Sequence, residues 1–191
     1  MFWIKSHSIV SAIAPMLIAS VAFADKPNIP ATVMSEMFLK RCASPILNGQ
    51  PTIVAGLKSI PEEANLIAGA KPGRVWMSTH AHVSLSEFDV SDKYLGCRVD
   101  WHGSAAERHG IAINHDHVIE HFATWVGEQV AQGKLVEIKQ CGDRNSEYIH
   151  VVESKTERDP PVRIFLSHRR EIDFIWLVAS EADAQREPEE C

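Results

Sequence analysis

The sequence lacks several motifs that would indicate a function directly. It has no Cys-x-x-Cys pair and therefore no motif for thiol–disulfide exchange. It has no glycine-rich phosphate loop, and Ser104 lacks the closing glycine of the Gly-x-Ser-x-Gly turn that presents the nucleophile of many hydrolases. It also lacks a basic excess, and a net charge of −6 argues against binding to nucleic acid. Because no low-complexity run is present, we expect a folded domain.

Long apolar runs are also missing, since the longest one lies at the N-terminus and is too short to span a bilayer. Residues 9–24 fall below the roughly 20 apolar residues that a transmembrane helix requires. This stretch closes on an Ala-Phe-Ala tripeptide ending at Ala24, and Asp25 follows. Small residues at these positions are what signal peptidase needs. We therefore interpret residues 1–24 as a signal peptide cleaved between Ala24 and Asp25, leaving a periplasmic or secreted protein with no stable membrane insertion.

Cysteine is scarce, and the export signal decides how the four cysteines are interpreted. An even number in an exported protein favours disulfides over free thiols. All of them lie after the leader: Cys42, Cys97, Cys141 and Cys191. Alternating apolar and polar residues around Cys97 turn it toward the interior of a half-buried strand, and Cys42 lies on the apolar stripe of a helix. We predict a Cys42–Cys97 disulfide, whereas Cys141 and Cys191 either pair or leave Cys191 free.

The order of the predicted elements indicates an α+β fold. Two main helices are predicted over residues 32–43 and 115–132, and a short third helix over residues 61–68. Seven strands are predicted: 74–79, 83–90, 94–101, 135–140, 147–154, 162–167 and 172–179. Strands that follow one another in runs with short connections favour a mostly antiparallel sheet with the helices packed on it and held by the disulfide.

The chain divides into a few segments and one core. After the leader we predict a linker over residues 25–31, a single domain over 32–180 and an acidic tail over 181–191. The mature chain would have 167 residues, 24 fewer than the full 191, which suits one domain. The last strand is apolar on both faces and is expected to be central and covered by helices. Four tryptophans are expected to anchor the core: Trp76, Trp101, Trp125 and Trp176.

Histidines are the remaining feature with chemical potential. His117 and His121 lie one helical turn apart, an arrangement that can bind zinc or copper. The glutamate of the His-Glu-x-x-His protease motif is replaced by Val118, so a metalloprotease is not expected. A third ligand would have to come from Glu128 or from the His80/His82 pair. The simpler interpretation of His117 and His121 is a solvated helix surface.

The other histidines give weaker signals. His80 and His82 would share one face of a strand and could both reach one ion, or they could simply be polar residues at a strand end. His115 lies nearer the apolar face and is expected at the edge of the core with a satisfied hydrogen bond. We expect no cofactor apart from zinc or copper at the histidines.

These observations leave three hypotheses. The first is a non-catalytic binding or accessory role for a small ligand or another envelope protein. The second is a metal-binding protein that uses His117 and His121. The third is an enzyme whose site is assembled from residues distant in sequence, for which the sequence supplies no catalytic residue.

Overall fold

The structure is a computed structural model. It describes residues 28–60, 74–78, 81–91, 94–142, 147–155 and 161–181. The leader, the cleavage position at Ala24 and Asp25, and the short helix predicted over residues 61–68 lie outside these ranges. No helix in the described part of the chain is both long enough and apolar enough to cross a membrane.

An eight-stranded antiparallel sheet forms the body of the protein, which confirms the predicted α+β class. The strands are β1 Lys58–Ser59, β2 Val75–Met77, β3 Val83–Ser91, β4 Tyr94–Trp101, β5 Leu135–Gly142, β6 Glu147–Ser154, β7 Val162–Arg169 and β8 Phe174–Glu181. Their order across the sheet is β1-β2-β3-β4-β8-β7-β6-β5, and every neighbouring pair is antiparallel. The last strand is central, as predicted.

The described helices pack on one face of this sheet. The first helical segment comprises α1 (Ile29–Glu36), a π-helical turn (Met37–Ala43) and α2 (Ser44–Leu47). The short α3 (Gly103–Glu107) follows β4, and α4 (His115–Ala131) crosses back over the sheet. The π-helical turn contacts β4 and β8, while α4 contacts α1, β5 and β7.

The first helical segment is longer than predicted at both ends. Asn28 caps it, because its side-chain oxygen accepts a hydrogen bond from the Ala31 N–H at 3.0 Å. Pro30 lies in the first turn, where its missing N–H costs nothing. The end of the predicted linker therefore belongs to α1. The segment also continues past Pro45, and the Arg41 carbonyl, which Pro45 cannot satisfy, accepts from the Ile53 N–H at 3.0 Å.

The predicted disulfide between Cys42 and Cys97 is present, with their α-carbons 5.8 Å apart. Both residues are fully buried, as the strand alternation and the helical stripe predicted. The bridge therefore joins the π-helical turn to β4 inside the core. Cys141 lies within β5, which runs two residues further than predicted, and Cys191 lies outside the described residues.

The predicted helical cover of the last strand is present on its core face, where the π-helical turn and α2 contact β8, and Trp176 lies on the other face. Trp176 is opposite Asp100 of β4, on the face away from the core tryptophan Trp101. The Arg98 guanidinium lies 5.0 Å from the centre of the Trp176 ring, and Phe174 contacts the same ring edge-on. Trp176 is therefore part of an aromatic and charged second face and not a core anchor. Apolar residues on both sides of a strand could not reveal this.

Candidate functional site

A carboxylate held between two ring N–H groups lies at one end of the sheet. The Asp173 side chain accepts a hydrogen bond from the Trp101 indole Nε1 at 2.8 Å. Its second oxygen lies 2.8 Å from Nε2 of His115. Trp101 ends β4, His115 begins α4 and Asp173 precedes β8, so three segments distant in sequence meet at this point.

The backbone of Asp173 is shaped by the turn that precedes β8. Residues Arg170–Ile172 form a 3-10 turn, and Asp173 follows it in the left-handed conformation with φ 47° and ψ 47°. Among residues other than glycine, aspartate is one of those that adopt this conformation most readily. Gly103 lies directly against the Asp173 carboxylate and leaves no room there for a β-carbon. The turn and the absence of a side chain at Gly103 together allow the Asp173 carboxylate to reach the Trp101 and His115 rings.

His115 is nine-tenths buried, with 9% of its surface exposed. Because the carboxylate accepts at Nε2, we assign the proton to Nε2, and in the neutral ring Nδ1 is then an acceptor. Nδ1 is buried and has no hydrogen-bond partner in the described part of the chain. An unsatisfied buried polar atom costs about 1–3 kcal/mol, so native proteins keep few of them without a reason. The predicted core-edge hydrogen bond is confirmed at Nε2 only.

His168 of β7 adds a second imidazole beside the first. Its ring meets the His115 ring edge-on, with the ring centres 6.0 Å apart. Burial is the main cause that lowers the pKa of His168, and the neighbouring His115 and Arg170 lower it further. Asp116 and Glu171 raise the pKa of His168, but its net shift remains downward. The lowered pKa keeps the His168 ring neutral at neutral pH beside His115.

A shallow depression of about 430 Å³ opens next to these groups. It is lined by Asn28, Ile113, Asn114, His115, Asp116, Arg170 and Asp173. Two of these residues are helix caps, since Asn28 caps α1 and Asn114 caps α4 by accepting from the His117 N–H at 3.2 Å. The Asn28 amide also donates to the Ala112 carbonyl at 3.1 Å, which ties the cap of α1 to the segment just before the cap of α4. The N-termini of both main helices therefore face one site.

Arg170 and Asp116 form an ion pair at the rim of the depression. Both side chains are well exposed, at 52% and 72% of their surface. Exposed ion pairs of this kind contribute at most about 1 kcal/mol, so the two groups can exchange partners at little cost. The depression thus presents both signs of charge on side chains that are free to reorient.

The predicted metal ligands are only partly brought together. His117 and His121 do lie side by side on α4, with stacked rings whose centres are 4.4 Å apart. His82 stacks instead on His109, at 5.2 Å, and His80 lies outside the described residues. Within the described ranges, no group of three His, Cys, Asp or Glu side chains is arranged to hold a metal ion. The pair on α4 therefore has no third ligand there, from Glu128 or from His82.

A serine–histidine contact occurs elsewhere in the sheet. Ser84 Oγ lies 2.8 Å from Nε2 of His102. Burial is the main cause that lowers the pKa of His102, with smaller contributions from His82 and Arg98. Ser84 has no exposed surface, so a substrate cannot reach its hydroxyl in this conformation. The contact pairs the buried Ser84 hydroxyl with the half-buried His102 ring and does not make a nucleophilic site.

A second depression, of about 260 Å³, lies at the opposite end of β3. Its lining includes Glu87 of β3, which pairs with Cys97 of β4 in the sheet. Glu87 accepts from the Thr52 hydroxyl and forms an ion pair with Arg74. This carboxylate is held by the structure around it, and we assign it a structural role beside the disulfide.

Sequence reasoning missed Asp173, which organises the main site. Its partners lie 58 and 72 residues away, and acidic residues are too common to single out one of them. The only local signal is an aspartate between a charged run and an apolar strand, where a tight turn is expected. No family model, curated protein or solved structure matches this chain.

Proposed function

We propose that this chain is an exported, disulfide-bonded protein with a non-catalytic binding role, and that it holds a small ligand in the depression beside His115. The observation that carries the proposal is the Asp173 carboxylate, which lies against the Trp101 and His115 rings and still exposes 31% of its side chain in the lining of an open depression. A ligand with a hydrogen-bond donor would bind the exposed part of this carboxylate.

Export is supported by two independent features. The first is the leader predicted over residues 1–24, with its small residues before Asp25. The second is the buried Cys42–Cys97 disulfide, because such bonds persist in oxidising compartments and are rare in the cytosol. We propose the periplasm or the exterior as the location.

Binding is favoured over catalysis by the composition of the depression. Among the described residues, its lining contains neither serine, threonine, cysteine nor lysine, four of the residue types that act as nucleophiles in covalent catalysis. The carboxylate–imidazole pair resembles the base and orienting group of a catalytic site, which keeps an enzyme as the third candidate. Metal binding at His117 and His121 is the second candidate, supported by their stacked rings on one turn of α4.

An intact mass spectrum of the protein from the exported fraction tests the export part. Loss of residues 1–24 together with two or four hydrogens is the expected result. Two missing hydrogens would mean that Cys141 and Cys191 are not bonded to each other. A full-length or fully reduced protein would overturn the proposal of export.

The binding part is tested by two-dimensional NMR of the mature protein. Addition of a low-molecular-mass extract of the cells that produce the protein is expected to shift the signals of the His115 ring and the Trp101 indole. The same extract should leave the Trp101 indole signal unmoved in His115→Gln, while His109→Gln, which replaces an exposed histidine away from the depression, should respond like the wild type. Absence of any shift at His115 and Trp101 would refute the proposed site. Zinc or copper that shifts only His117 and His121 would favour the second candidate.

A further inference from the structure

The depression presents hydrogen-bond donors and acceptors within one small volume. The donors are the Arg170 guanidinium and the first backbone N–H groups of α4. Asn114 satisfies the N–H of His117, and the N–H groups of His115 and Asp116 have no partner inside the helix. A helix N-terminus of this kind attracts a carboxylate, more so beside an arginine.

The acceptors lie around the same opening. They are the carboxylates of Asp173 and Asp116, whose side chains are 31% and 72% exposed. These groups attract an ammonium group or another strong donor. A purely anionic ligand would be repelled by the two carboxylates, and a purely cationic one by Arg170 and the two helix N-termini.

From this arrangement we propose that the ligand is a small zwitterion, a free amino acid or a very short peptide. Its carboxylate binds Arg170 and the N-terminus of α4, and its ammonium group binds the carboxylates of Asp116 and Asp173. The volume of about 430 Å³ accommodates one such molecule. This inference rests on the proposed function and adds the chemical class of the ligand.

The ion pair between Arg170 and Asp116 explains how such a ligand would enter. Without ligand, the two exposed side chains neutralise one another across the rim. The ligand carboxylate replaces Asp116 as the partner of Arg170, and its ammonium group replaces Arg170 as the partner of Asp116. Each charge therefore keeps an opposite charge throughout, and no charged group is left unpaired in the complex.

Titration calorimetry of the mature protein tests this proposal, with the standard free amino acids and glycylglycine as probes. For each probe that binds, two matched analogues are titrated: the amide, which lacks the carboxylate, and the deaminated acid, which lacks the ammonium group. At least one zwitterion is expected to bind, and both of its analogues about tenfold or more weakly, as for loss of a charge-assisted hydrogen bond.

Variants locate the binding. Arg170→Gln and Asp116→Asn are both on exposed side chains, so the fold is expected to survive, and each should weaken zwitterion binding about tenfold. Arg108→Gln is the matched control, an exposed arginine outside the lining, and should bind like the wild type. Analogues that bind as well as the zwitterion, or equal binding by Arg170→Gln, would overturn the proposal. If no probe binds while the extract still shifts His115, this inference fails and the proposed function stands.

Discussion

The α-carbon of Gly103 lies against the carboxylate of Asp173, so a β-carbon at position 103 would collide with it. Gly103→Ala must push the carboxylate away from the Trp101 indole and the His115 ring. We expect a loss of about 1–3 kcal/mol in the free energy of unfolding, typical of overpacking a filled site. Urea unfolding monitored by tryptophan fluorescence measures it.

The control for this substitution is Gly127→Ala. Gly127 lies in the interior of α4, and nothing lies within 4 Å of the place where its β-carbon would be. Alanine should raise the free energy of unfolding there by about 0.5–1 kcal/mol, because glycine is a poor helix former. If Gly103→Ala were as stable as wild type, the carboxylate would not be confined as described.

Asp173→Asn tests the two hydrogen bonds directly. Asparagine retains the shape and tolerates the left-handed backbone, but it has only one acceptor oxygen for the two donors, Trp101 Nε1 and His115 Nε2. One donor is left unsatisfied, so we expect a loss of roughly 1–3 kcal/mol in the free energy of unfolding. The indole N–H signal of Trp101 should also move in the NMR spectrum. An unchanged stability with an unmoved Trp101 signal would contradict the network.

The Cys42–Cys97 bridge closes a long loop, with 55 residues of separation. Loss of such a constraint costs about 3–4 kcal/mol on the chain-entropy model. We expect the Cys42→Ala/Cys97→Ala double variant to unfold at a correspondingly lower urea concentration. Reductant should lower the stability of the wild type more than that of the double variant, which no longer contains this bridge. A double variant as stable as the oxidised wild type would show that the bridge contributes little.

Acid should destabilise the protein through its buried histidines. Burial lowers the pKa of His102, His150 and His168 below the usual 6.5 of histidine. Below about pH 6.5 these histidines therefore bind more protons in the unfolded chain than in the folded one. The free energy of unfolding is highest above about pH 6.5 and falls as the pH drops toward the pKa values of the folded protein. We expect a lower melting temperature at about pH 5.5 than at pH 7.5, by about 2–4 °C for each kcal/mol lost.

The contribution of a single histidine can be separated. His168→Gln should show a smaller change in melting temperature between the two pH values than the wild type. The effect of Asp100 on stability has the opposite sign. Burial raises the pKa of its carboxyl group above 3.8, so the stability that it contributes is lost as the pH rises from about 3.8 through the pKa of the folded protein. If the glutamine variants of His102, His150 and His168 all kept the pH dependence of the wild-type melting temperature, this explanation would be contradicted.

The elements of the fold were largely predictable because their signals are local. The alternation around Cys97 and the apolar stripe that contains Cys42 each fix which way a side chain faces, and two inward-facing cysteines on neighbouring elements predict a bridge. The helix over residues 115–131 also followed from its cap at Asn114 and its apolar face. The strand boundaries were shifted by one to two residues, where turns such as Arg170–Ile172 replaced strand.

The candidate site was not predictable in the same way. Its central residue, Asp173, is joined to His115 and Trp101 only by the tertiary fold, and no pattern in a single sequence records such contacts. The prediction about the second face of β8 did not hold, for a different reason. A strand that is apolar on both sides is expected between two layers, and Trp176 instead contacts Arg98 and Phe174.

The position of β8 has a consequence for how the chain acquires its structure. β8 pairs with β4 on one side and β7 on the other, so it joins strands β1–β4 to strands β5–β7 within the sheet. A chain that emerges N-terminus first therefore has an open edge on β4 until residues 174–181 arrive. Contacts between such distant segments form slowly. The sheet can therefore be completed only after β8 has been synthesised, and until then its two groups of strands are joined only by the chain between them.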